Sequence, residues 1–282
     1  LLTDLAAWRA PRIGVAAAAG AMLAAAGVVI QRVTGNPLAS PEVLGVGTGA
    51  GAGLTAVLMV SATADLGWQL AGSALGSLVA LIAMLALAAR AKFGAERLLL
   101  AGIAMSALCS AAITATIAMG NAQSYILLRW LSGSTGQAST LDAGLALACL
   151  LPLTLPLFLA ARWLDILPLG SDSARGLGVP VAGGRLMLIV VAALLTALAA
   201  MVVGPLSFVG LIAPHLARLV GFSRARVHLA GAMLLGALLM IVSDWLSRMA
   251  AFPYELPAGL FASLLGGPYL VYLLAKGVPR QG

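Results

Sequence analysis

Two histidines, one acid deep in an apolar run and a ladder of glycines are the residues whose types and spacing invite a chemical reading. His215 and His228 stand thirteen positions apart. No Cys, Asp or Glu is placed to complete a ligand set around them, so no metal site is expected. Asp244 is the one acid well inside an apolar run, and Arg248 follows one helical turn later. That spacing predicts an ion pair within a helix bundle, and no Ser-His-Asp set or paired carboxylate offers catalysis instead. Cys109 and Cys149 also lie in apolar runs, with neither metal nor disulfide spacing, and read as packing residues. The glycines Gly45, Gly47, Gly49, Gly51 and Gly53 superficially resemble a dinucleotide loop, but no βαβ context surrounds them. Close helix packing is the better reading. No G-x-x-x-x-G-K-[ST] occurs, so any ATP is hydrolysed by a partner, and neither enzyme activity nor a cofactor is expected of this chain.

The elements that must position these residues are helices in lipid. Of 282 residues 62% are hydrophobic and 9% charged, with a mean hydropathy of +1.07. Soluble domains run to about 45–50% apolar and about 25% charged. The net charge of +7 raises nucleic acid as a partner, but the 16 Lys and Arg sit singly between apolar runs and form no basic stripe. About 20 apolar residues cross a bilayer as a helix. Nine candidates follow: 13–30, 43–62, 66–89, 98–119, 141–161, 186–203, 208–222, 229–247 and 256–275. The seventh contains Pro214, His215 and Arg218, tolerated at depth only against other helices. With the first residues outside, twelve cations fall on the cytoplasmic side: Arg32, Arg90, Lys92, Arg97, Arg162, Arg175, Arg185, Arg218, Arg224, Arg226, Lys276 and Arg280. Only Arg9, Arg12, Arg129 and Arg248 remain outside, the asymmetry that insertion favours. Spacings such as Ala16/Gly20 and Gly72/Gly76 predict close helix contacts. The fold class expected is an all-α polytopic transmembrane bundle over 1–282. A start at Leu1 without a signal-peptide pattern reads as a fragment or the second half of a fusion.

The motifs then become specific. Trp8, Arg9, Pro11 and Arg12, then Gln31 and the run from Asn36-Pro37-Leu38-Ala39-Ser40-Pro41 to Gly45, resemble the opening signature of the iron-siderophore and cobalamin permease family. Leu100-Ala101-Gly102, Trp130-Leu131-Ser132-Gly133-Ser134, Leu177-Gly178-Val179, the run Gly204-Pro205-Leu206-Ser207-Phe208 to Pro214-His215, Asp244, Arg248, Glu255-Leu256-Pro257-Ala258-Gly259 and Gly266-Gly267-Pro268-Tyr269 follow in family order. The wording of the Trp130, Pro205 and Phe252 stretches is most similar to the second half of the family's ferric hydroxamate members, in which two ten-helix halves are fused. Nine helices is one short of that unit, because the family carries one more before the Arg-x-Pro-Arg signature.

The resemblance implies a permease subunit of an ATP-driven importer of the bacterial inner membrane, carrying a ferric siderophore, most similar in kind to hydroxamate. The implied partners are a periplasmic substrate-binding protein, two copies of a cytoplasmic ATPase subunit, and a second permease half, fused or separate. Matching the family's docking arginines are Arg9, Arg12 and Arg248, whose planar guanidinium groups suit carboxylates; snorkelling at the interface is the plain alternative for Arg9 and Arg12. The loop 162–185 holds Asp172, Ser173, Ala174, Arg175, Gly176, Leu177, Gly178 and Val179, which resemble the family's cytoplasmic coupling helices. Asp172 or Ser171 is expected to cap such a helix, with Gly176 and Gly178 turning the chain. By the same analogy the path runs beside the 98–119 helix, whose Met105, Ser106, Ser110, Thr114 and Thr116 offer hydroxyls and a thioether suited to a chelated cargo. Cobalamin or haem cargo, an ion-coupled secondary transporter and an intramembrane enzyme are the competing readings. The last two lack a visible repeat and a catalytic constellation.

Overall fold

In the computed structural model, which describes residues 2–61, 65–90, 95–136 and 138–276, helices are the only long elements. Lys92 and Arg280, counted above among the cytoplasmic cations, lie outside the described residues. Twelve α-helices are seen there: α1 Leu2–Thr34, α2 Val46–Val60, α3 Leu66–Arg90, α4 Ala95–Ala118, α5 Ala122–Leu131, α6 Thr140–Leu159, α7 Ala161–Ile166, α8 Ser171–Gly176, α9 Val181–Val203, α10 Val209–Leu219, α11 Ala225–Met249 and α12 Ala258–Lys276. Six are long and apolar enough to cross a membrane, and Val46–Val60, Val209–Leu219 and Ala258–Tyr272 are shorter apolar helices.

The centre of the bundle is α1. Its Val15, Ala16, Ala24, Val28 and Ile30 are fully buried, and a helix apolar all round belongs inside other helices. Around it stand α11, α9, α6 and α10, and a second group of α2, α3, α4 and α5 leans on α9. Small residues set the spacing. A Cβ at Gly20 would collide with the Gly236 carbonyl of α11, and one at Gly53 with the Gly72 carbonyl of α3. The glycine ladder is therefore a packing face, as its apolar setting implies. Opposite faces of α3 and α6 expose Leu75, Val79, Ile82, Leu151, Leu155 and Leu159, the apolar surface a helix presents to hydrocarbon.

One expected crossing is different in kind. The 208–222 segment is no full span: α10 has 11 residues, about 16 Å of helix against a hydrocarbon core of about 30 Å. Gly204 and Phe208, both at positive φ, bracket the non-helical stretch that precedes it. The 43–62 span is likewise composite. After α1 the chain turns back into the protein, and Pro41 reaches Gly210 before a 3-10 turn over Pro41–Leu44 leads into α2. Irregular backbone at that depth is tolerable because it is enclosed by protein.

Candidate functional site

At one end of the bundle a cluster of charges joins four parts of the chain. Asp244, 1% exposed, takes the Arg12 Nε at 2.6 Å and faces Arg248 at 3.0 Å. The Thr135 hydroxyl donates to the same Asp244 oxygen. Arg12 also spans both Glu255 oxygens at 3.0 Å. The Asp244–Arg248 pair read from the sequence is present, and Arg12, Thr135 and Glu255 complete it from 232, 109 and, towards Arg12, 243 positions away. Of the three arginines matched to docking, Arg9 is exposed, whereas Arg12 and Arg248 are already held by acids of this chain.

The opposite end has its own junction, which the sequence did not announce. Arg32 reaches Asp165 at 2.7 Å, the Ser223 carbonyl, and His228 Nδ1 at 3.3 Å. Arginine can only donate, so Nδ1 accepts, and the imidazole donates from Nε2 to the Pro214 carbonyl at 2.8 Å. His228 is thereby a structural neutral histidine, with both ring nitrogens occupied within the junction. Asp165 also accepts from the Ala225 N–H at 3.0 Å, satisfying a first-turn donor of α11. Arg218 donates to Gln31, whose amide donates to the Leu211 carbonyl at 3.1 Å. α1, α7, α10 and α11 are tied together at this end.

From that junction projects α8. Neither Ser171 nor Asp172 caps it: the N-cap is Gly170, with no side-chain bond, and Ser171 is already helical. Asp172 instead pairs with Arg175 at 3.2 Å on an exposed surface. The turn at its end falls to Gly178 alone, at φ 78, while Gly176 remains in the helix. Val179 N–H bonds the Ala174 carbonyl at 3.0 Å and Gly178 N–H the Arg175 carbonyl at 3.0 Å, the Schellman pattern. Ala174 and Val179 anchor the turn in the core, whereas Asp172, Ser173, Arg175, Gly176, Leu177 and Gly178 face outward beside exposed Leu169. A rooted knob with charged and apolar tips results.

The residues matched to the path do not share one environment. Ser110 and Thr114 lie four apart on the exposed face of α4. Met105 and Ser106 are half-buried against Gly45, and Thr116 is turned inward, donating to Ala112 at 3.1 Å.

Comparison with known proteins fits this geometry. The model of the FecCD transport family matches residues 3–276. The iron(3+)-hydroxamate import system permease protein FhuB of Escherichia coli strain K12 is 45% identical over 279 residues, covering 98% of this chain and 42% of FhuB. The chain thus spans less than half of that relative's length. The vitamin B12 import system permease protein BtuC of Citrobacter koseri is 35% identical over 269 residues, 95% of this chain and 82% of its own. Among solved structures, a metal-chelate type ABC transporter in an inward-facing conformation superposes with a TM-score of 0.88 at 27% identity, covering 97% of this chain and 89% of that one. A composite crossing, a buried Asp244 knot and a projecting short helix thus occur in a chain that, over nearly its whole length, belongs to the FecCD transport family.

Proposed function

We propose that the chain is the transmembrane permease part of a binding-protein-dependent ABC importer that carries ferric hydroxamate across the bacterial inner membrane. The observation that carries this reading is the 45% identity to a hydroxamate permease along 98% of the chain, against 35% to the B12 permeases. On this reading the Arg12 end faces the periplasm, and Arg9 meets an acidic binding protein while Arg12 and Arg248 hold the surface in shape. The α8 knob seats in a cytoplasmic ATPase subunit, one of two, and Arg32 and Asp165 pass its movement to α1 and α11. The exposed hydroxyls of Ser110 and Thr114 face a path shared with a second permease half.

The test is uptake into vesicles holding the permease pair, the ATPase subunits and a hydroxamate-binding protein. Ferric hydroxamate is expected to enter only with ATP and the binding protein. Entry driven by a proton gradient alone, or a preference for cobalamin, overturns the assignment. Charge reversal at Arg9 is expected to weaken binding-protein association several-fold at low salt, as rim charges do, while insertion is unchanged. Equal affinity in Arg9→Glu and wild type removes Arg9 from the contact.

Gly178→Val tests the knob. A β-branched residue in the left-handed region costs about 1–2 kcal/mol, and here it loosens the turn that holds α8. Substrate-stimulated ATP hydrolysis and transport are expected to fall several-fold with binding-protein docking intact. Full stimulation in that variant excludes α8 from coupling.

A further inference from the structure

Where the re-entrant stretch after α1 meets the stretch before α10, a partly open cavity of about 140 Å³ is bounded by Leu23, Glu42, Thr48, Thr196, Gly204 and Ser207 among others. Leu23 stands eleven residues from Arg12 and eleven from Thr34, so the cavity lies midway between the two charged ends of the bundle along α1. Among the described residues, Glu42 is the only charged one in its lining. The carboxyl lies against the Ser207 hydroxyl and the Phe208 N–H, yet its Oε1 is sealed from solvent and has no hydrogen-bond partner. Thr48 gives its hydroxyl proton to the Gly45 carbonyl at 2.9 Å, and Thr196 gives its own to the Ala192 carbonyl at 2.8 Å. Both hydroxyls are left with lone pairs only.

An unpaired carboxylate oxygen at this depth is expensive, and neighbouring lone pairs add to the cost. A cation reverses both effects. We propose that the cavity binds one monovalent cation of the sodium or potassium class, held by Glu42 with the Thr48 and Thr196 hydroxyls. One carboxylate matches one positive charge. A calcium ion wants more oxygen charge and a transition metal wants nitrogen or sulfur, and the lining supplies neither. Irregular backbone flanking half-length helices is also the arrangement in which membrane proteins hold small cations. Ser207 also lines a second, open hollow of about 430 Å³ with Ser132, Pro257 and Ser263. The ion joins Glu42 of the re-entrant stretch to Thr196 of α9, clamping the composite crossing to a full-length helix.

The experiment is thermal unfolding of the full chain in lipid nanodiscs at equal ionic strength in NaCl, KCl and choline chloride. Sodium or potassium is expected to raise the midpoint above choline by about 2–4 °C. Glu42→Gln is expected to abolish the difference and Thr196→Val, which keeps the carboxylate, to shrink it. The same midpoint in all three salts, meaning a protonated carboxyl and water in the cavity, overturns the proposal. A salt response that survives both substitutions does so too. Should Glu42→Gln fail to fold, wild type and Thr196→Val decide the matter. The readout is independent of cargo, ATPase and binding protein, so its failure is distinct from failure of the importer reading.

Discussion

Asp244→Ala is expected to destabilise the permease by about 3–5 kcal/mol, the cost of breaking a buried ionic cluster from one side. Asp244 is 1% exposed, and the Arg12 and Arg248 side chains it holds are 13% and 18% exposed. Without the carboxylate, two cations share a poorly hydrated pocket and repel one another. Thr135 also loses its acceptor, which frees the loop between α5 and α6. A fall in melting midpoint of ~10 °C in nanodiscs is the expected reading. Glu255→Gln is the contrast, because Glu255 is 54% exposed and exposed pairs contribute about 0–1 kcal/mol. The combination Arg12→Met, Asp244→Leu and Arg248→Met is expected to recover most of the loss, since apolar replacement of a whole buried cluster is often neutral. If Asp244→Ala melts with the wild type, the cluster does not stabilise the fold; if the triple variant is as unstable as Asp244→Ala, the defect is lost packing and not unpaired charge.

What the sequence makes legible is whatever is written locally. Apolar runs locate the long helices, because a bilayer demands a minimum length of apolar helix. Asp244 and Arg248 could be paired on paper because they are one turn apart. Arg12 could not be joined to Asp244 and Glu255, since nothing in a sequence of apolar helices marks which ends meet. Arg32 and Asp165, 133 positions apart, were hidden for the same reason. The composite crossings were obscured differently. Hydropathy averages over 208–222 and over 43–62 without registering that Phe208 lies at φ 73 or that Pro41–Leu44 is a 3-10 turn. Glu42 was readable only as one letter of a motif, since its isolation depends on Ser207 and Thr196 arriving from elsewhere. At α8, resemblance indicated a short helix, but the choice of cap was decided by backbone geometry: Gly170 at φ 101 precedes the helix and leaves no place for a Ser171 cap.

Gly27→Val is expected to be the most damaging single substitution on an uncharged residue near the composite crossing. Pro214 has no N–H, so the Gly210 carbonyl one turn earlier lacks its helical donor. That carbonyl is turned against Gly27 of α1, where any Cβ would collide with it, far inside the 3.0 Å that real side chains respect. The added Cβ is fixed by the α1 backbone and the atom it meets is a backbone carbonyl, so no rotamer change can relieve the overlap. The face of Gly210 where a Cβ would stand is closed by Pro41 of the re-entrant stretch and by the Leu23 carbonyl of α1. α10 therefore cannot retreat without moving the re-entrant stretch and the cavity at Glu42. Overpacking typically costs about 1–3 kcal/mol, and with no flexible atom to yield the upper end or more is expected, read as a drop in folded yield and in melting midpoint. Gly144→Ala, in α6 with nothing near its added methyl, is expected to leave stability unchanged or raise it by up to about 1 kcal/mol through helix propensity. Equal stability of Gly27→Val and Gly144→Ala would show that α1 and α10 do not meet backbone to backbone at Gly27 and Gly210.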